Sequence, residues 1–156
     1  MKKIPFFAII LLGSVLFLCS CTKYLPESEY LSYYEEHCKS EVRRGDFVFY
    51  AISLSADYER VKWGSPLDSG LRVLFGAVPR ADLSFGNAFL VDENDTSAVV
   101  LFRKISTFEL GAADSFVLSF ADKKDRAKLF VRDVSNGIGG IEIKLKNCNN
   151  IRLIEK

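Results

Sequence analysis

From Gly70 onward the chain is a succession of short apolar runs separated by polar turn clusters, and this rhythm limits the architectures open to it. The runs cover 71–78, 83–91, 97–105, 115–120, 128–134, 140–146 and 151–154. Two alternate cleanly. Phe116, Leu118 and Phe120 oppose Ser115 and Ser119, and Ile141, Ile143 and Leu145 oppose Glu142, Lys144 and Lys146. Period two is the signature of a strand with one buried face. The clusters between runs are Asp92-Glu93-Asn94-Asp95, Ala121-Asp122-Lys123-Lys124-Asp125, Asn136-Gly137 and Asn147-Cys148-Asn149-Asn150. Their side chains bond their own backbone or tolerate positive φ, so they turn the chain. No helix-length segment intervenes, which argues against a parallel α/β sheet. The expected fold is mainly β: an antiparallel β-sandwich, with a barrel as the alternative, of about eight strands.

The segment ahead of these runs reads differently. Pro26 suits the first turn of a helix, and Glu27 and Glu29 place negative charge at its positive end. Tyr30, Tyr34 and Cys38 then recur at i, i+4 and i+8 beside Leu31 and Tyr33, predicting an N-terminal helix that docks one stripe on the core. Glu35, Glu36 and Lys39 are placed toward water. Residues 46–55 are apolar on both faces and predict a central strand. Ser55 can cap a short helix over 56–61, which Gly64 and Pro66 end.

The first twenty residues carry a separate signal. Lys2 and Lys3 precede an apolar stretch from Phe6 to Leu18, too short for an ordinary membrane span. Leu18-Cys19-Ser20-Cys21 resembles a bacterial lipobox, which implies cleavage before Cys21 and acylation of its thiol. An ordinary leader and an uncleaved anchor over 4–21 are the competing readings, and Pro5, Gly13 and Ser14 weaken the anchor. Several acyl chains, at about 0.8 kcal/mol per buried CH₂, hold a protein stably at a bilayer. The position after Cys21 is Thr22 rather than an inner-membrane-retaining Asp, and no acidic cluster follows it. The resemblance thus implies an outer-membrane anchor facing the periplasm. The chain divides into a leader, 1–20, a tether, 21–26, and one mostly β domain, 27–156. At 156 residues it holds one domain rather than two.

Loss of the leader removes Lys2 and Lys3 from 21 basic residues and none of the 20 acidic ones, leaving 19 against 20 and a net charge of −1. No basic excess of the kind that marks a nucleic-acid binder exists. Of four cysteines, Cys19 leaves with the leader and Cys21 takes lipid. The remaining pair, Cys38 and Cys148, predicts a disulfide in an oxidising compartment, the alternative being two separate thiols.

The residues give no catalytic constellation, metal site or cofactor motif. His37 is the sole histidine and adjoins Cys38 on the helix, where neighbouring side chains diverge by about 100°; it reads as a surface histidine. Asp92-Glu93-Asn94-Asp95 lacks the ligand spacing of a calcium loop and reads as a hairpin turn. Asn136-Gly137-Ile138-Gly139-Gly140 precedes a strand, not a helix, and is no phosphate cradle. Tyr58 and Trp63 read as packing.

Several short motifs resemble those of a family of small, uncharacterised bacterial lipoproteins. These are Glu29-Tyr30-Leu31-Ser32-Tyr33, Gly45-Asp46-Phe47, Asp57-Tyr58, Phe89-Leu90-Val91-Asp92, Asp95-Thr96, Asn136-Gly137-Ile138 and the run from Ala113 to Phe120. The resemblance covers most of 25–146, departs from the family at Phe102-Arg103-Lys104-Ile105-Ser106, and implies location and architecture but no activity. The expectation is therefore a membrane-attached envelope module that binds or assists, with an envelope protein complex as its partner. A carboxylate-dependent hydrolase of envelope polymers and a small-ligand carrier are the alternatives.

Overall fold

Strand β3 (Phe47–Ser53) shows why the sequence is apolar on both faces there. Phe49 and Ala51 point into one core, while Ile52 joins a second core on the opposite side of the same sheet. The structure, a computed structural model, describes residues 21–66, 70–78, 88–92, 95–105, 114–121, 127–134 and 139–155. The leader, the run 83–87 and the turns at 93–94, 122–125 and 136–138 lie outside them.

The described chain begins with β1 (Lys23–Leu25), followed by α1 (Glu27–Cys38), β2 (Ser40–Arg44), β3 and α2 (Ala56–Trp63). Strands β4 (Leu71–Val78), β5 (Ala88–Asp92), β6 (Asp95–Ala98), β7 (Leu101–Ile105) and β8 (Asp114–Phe120) come next. Strands β9 (Lys128–Val134), β10 (Gly139–Lys144) and β11 (Ile151–Leu153) complete the described elements. A five-stranded antiparallel sheet runs β2-β3-β4-β8-β7 and a four-stranded one runs β10-β9-β5-β6. The sheets are stacked, not closed into a barrel, and the fold is mainly β.

The inner core lies between the sheets. Phe49, Val73, Phe75 and Leu118 from one sheet meet Leu90, Leu129, Ile141 and Ile143 from the other, all essentially without solvent contact. The alternation predicted for 115–120 and 140–146 is the geometry observed: Phe116, Leu118 and Phe120, and Ile141, Ile143 and Leu145, all face this core. The second core covers the other face of the five-stranded sheet, where Tyr30, Tyr34 and Cys38 of α1 and Tyr58 of α2 pack on Ile52 and Val117. The layers are thus helices, five strands, four strands.

Local chemistry fixes the helix ends as expected. The Ser55 hydroxyl accepts from the Tyr58 amide at 3.1 Å, and Gly64 closes α2 in the left-handed region at φ 84°.

Two expectations are corrected and one strand was not anticipated. The tether reading of 21–26 fails because Lys23, Tyr24 and Leu25 pair in parallel with Ile151, Arg152 and Leu153, and Leu25 is buried. Strand β2 gave no sequence signal, since Ser40-Glu41-Val42-Arg43-Arg44 is mostly polar; it is an edge strand, where charge is tolerated. The run 97–105 is two strands rather than one. The chain turns at Val99-Val100 and passes from the edge of one sheet to the edge of the other, with Val99 packed against the inner core.

Candidate functional site

The two sheets leave a seam where β2, the edge of one, lies beside β10, the edge of the other. Because β1 is zipped to β11, the start of the described chain reaches this seam. The Lys23 amide donates to the Asn150 carbonyl at 2.7 Å, and Cys21 and Thr22 are the described residues ahead of the ladder. A groove of about 1360 Å³ opens there, lined by Cys21 to Lys23, by Tyr33 and His37 of α1, by 39–42 and by 142–148. The Cys21 thiol is free and exposed.

Alternation on β10 sends Ile141 and Ile143 inward and Glu142 and Lys144 outward; the extended chain beyond it places Lys146 outward too. Lys23 and Lys39 complete a set of four lysines on the lining, against two carboxylates, Glu41 and Glu142. Each carboxylate faces an ammonium group: Lys39 Nζ lies 2.8 Å from Glu41 Oε1, and Lys128 Nζ lies 2.7 Å from Glu142 Oε1. Lys23 Nζ sits 3.6 Å above the centre of the Tyr33 ring, and Lys146 Nζ donates to the His37 carbonyl at 3.1 Å. The groove thus carries an excess of positive charge, four ammonium groups against two carboxylates.

His37 lies on this groove as a packing element. Its ring stacks on Tyr33 with centroids 3.7 Å apart, and Nδ1 is 2.9 Å from the Tyr33 carbonyl oxygen. The neighbouring Cys38 sulfur is bonded to Cys148, across a sequence separation of 110 residues, so it offers no thiol for His37 to activate. This disulfide fixes the end of α1 to the 145–150 wall of the groove.

Behind the groove, α1 and α2 enclose a tyrosine cluster. Tyr34 donates to the Ser53 carbonyl at 2.8 Å, Tyr30 and Ser55 share a hydrogen bond at 2.9 Å, and Tyr58 donates to Glu35 Oε1 at 2.6 Å. Glu35, part-exposed as expected of the wet face, also meets Lys62 of α2 at 3.3 Å. Burial pushes the phenols of Tyr30, Tyr34 and Tyr58 above the usual tyrosine range, and the Glu35 carboxylate raises Tyr58 further. Trp63 packs edge-on against Tyr58, as the sequence suggests.

One feature has no sequence signal. Glu59, on α2, is fully buried and bonded at two points to Arg72 of β4, with Nη2 to Oε2 at 2.6 Å and a second contact between Nε and Oε1. Glu59 lies in the polar stretch Asp57-Tyr58-Glu59-Arg60, and only tertiary packing distinguishes it from the exposed Arg60 beside it.

At the opposite edge of the sandwich, the turn into β7 leaves Val100, Leu101 and Phe102 exposed at 70, 63 and 55 %. Among the described residues no group of His, Cys, Asp and Glu is arranged to hold a metal, and no helix is long and apolar enough to cross a membrane. Comparison with protein-family models, with curated proteins and with solved structures finds no match to this chain.

Proposed function

We propose that the protein is a lipid-anchored envelope lipoprotein, held through acyl chains on Cys21 at the outer membrane and facing the periplasm. There its β domain acts as a non-enzymatic binding or accessory module. The observation that carries this reading is the sequence Leu18-Cys19-Ser20-Cys21 behind Lys2, Lys3 and a short apolar stretch. Three further features support it. The Cys21 thiol is exposed and free, as a lipid acceptor must be. The disulfide between Cys38 and Cys148 suits an oxidising compartment. The short motifs similar to those of small bacterial lipoproteins agree with both.

The accessory role draws on the corner at Val100, Leu101 and Phe102. Adjacent large apolar side chains in water suit contact with another envelope protein.

Growth of expressing cells on radiolabelled palmitate tests the anchor. Label is expected on the wild-type chain and absent from Cys21→Ser, which should also leave the membrane fraction. A wild-type chain without label overturns the reading.

A further inference from the structure

We infer that the lysine-lined groove beside Cys21 is the face that lies against an anionic bilayer, its ammonium groups meeting phosphate-bearing lipid headgroups. The inference rests on the lipid anchor proposed above and adds which surface the anchor presses down and onto what.

The argument is one of length and charge. If 21–26 were a flexible tether, the domain would tumble free of the membrane and no face would be preferred. The ladder between β1 and β11 removes that freedom, because it begins at Lys23. Two residues span at most about 7 Å when extended. That is about the depth of one leaflet's polar headgroup layer, taken as half the difference between roughly 40–45 Å and 30 Å. An acylated Cys21 therefore holds the groove mouth within the headgroup layer.

What stands there is cationic. Lys23, Lys39, Lys144 and Lys146 share the lining with Cys21 and two carboxylates; Glu41 takes up Lys39, Lys128 meets Glu142 from outside the lining, and Lys23, Lys144 and Lys146 carry the excess. Surface potentials fall off within a Debye length, about 10 Å at 0.1 M salt. Lysines this close to the anchor feel an anionic bilayer, whereas those on the far side do not. Covalent attachment also makes the association intramolecular, so weak headgroup contacts suffice to orient the domain.

The test uses the full chain expressed with its own leader, extracted from membranes and weighed intact. Acyl mass on Cys21 establishes the anchor. The acylated protein is then placed in vesicles of phosphatidylcholine alone or with phosphatidylglycerol, and lysine acetylation rates are read peptide by peptide. In anionic vesicles Lys23, Lys39, Lys144 and Lys146 should react several-fold more slowly than in zwitterionic ones, with the difference removed by high salt. Lys62, on α2, should react equally in both. The double variant Lys39→Glu/Lys144→Glu, both positions exposed, should remain acylated and folded by circular dichroism yet lose the dependence on phosphatidylglycerol. Acylated protein whose groove lysines ignore headgroup charge overturns this inference and leaves the anchor standing. So does protection that is equal in both vesicle types, as contact with a protein would give. Protein without acyl mass overturns both.

Discussion

The Glu59 carboxylate and the Arg72 guanidinium are joined at two points between α2 and β4, with Glu59 wholly removed from water. Removing one partner strands the other charge in a low-dielectric site, at a cost of about 3–5 kcal/mol. Arg72→Met should therefore lower the urea midpoint sharply. Replacing both charges, as Glu59→Leu/Arg72→Met, should cost less than Arg72→Met alone, because the buried Glu59 charge is then removed together with its Arg72 partner. A double variant as destabilised as the sum of the two singles would show that the two charges do not couple.

The disulfide between Cys38 and Cys148 closes a long loop, across 110 residues. Chain-entropy reasoning puts its contribution at about 4–5 kcal/mol. The Cys38→Ser/Cys148→Ser variant should unfold at lower denaturant concentration than the oxidised wild type. Reductant should bring the wild type down toward the variant and leave the variant unmoved.

The buried phenols tie stability to alkaline pH. Their folded-state pKa values lie above the unfolded value of about 10. For a group raised in this way, stabilisation is complete below the unfolded pKa and is lost as pH rises from about 10 through the folded values. Denaturation midpoints should show no tyrosine contribution to pH dependence near neutrality and then fall above pH of about 10. Tyr34→Phe should cost about 1 kcal/mol at neutral pH through the hydrogen bond to Ser53, and should make the alkaline fall shallower.

Gly70 takes φ of 121°, and a Cβ there would strike the Phe120 carbonyl oxygen on the neighbouring strand. Gly70→Ala should destabilise by about 2 kcal/mol or more, read as a drop in thermal midpoint. Gly45→Ala, with φ of 56° but open space around it, should cost less.

The parts of the fold legible in the sequence are those where one rule acts alone. Period two marked 115–120 and 140–146, the 3.6-residue stripe of Tyr30, Tyr34 and Cys38 marked α1, and Ser55 and Gly64 marked α2. Asp92 pairs with Asp95, as the turn residues between two apolar runs suggested. What escaped depended on distant partners. Lys23-Tyr24-Leu25 is a strand only because Ile151-Arg152-Leu153 supplies its ladder, and β2 is a strand only because β3 does. The apolar run 97–105 hid its corner because Val99 and Val100 suit a strand as well as a turn. Of the groove, the Cys38–Cys148 bond was legible from cysteine counting. The lysines were not, since they come from separate segments that only the fold assembles.

The corner at Leu101 and Phe102 and the seam beside Cys21 occupy opposite margins of the same sandwich, β7 ending the row that β2 begins. Four interstrand spacings of about 4.8 Å separate those margins, roughly 19 Å in all. A molecule seated by its lysine margin would thus stand upright on the lipid and raise its greasy tip clear of the headgroups. A partner protein would meet that tip first, and the two ends of the domain would never compete for the same contact.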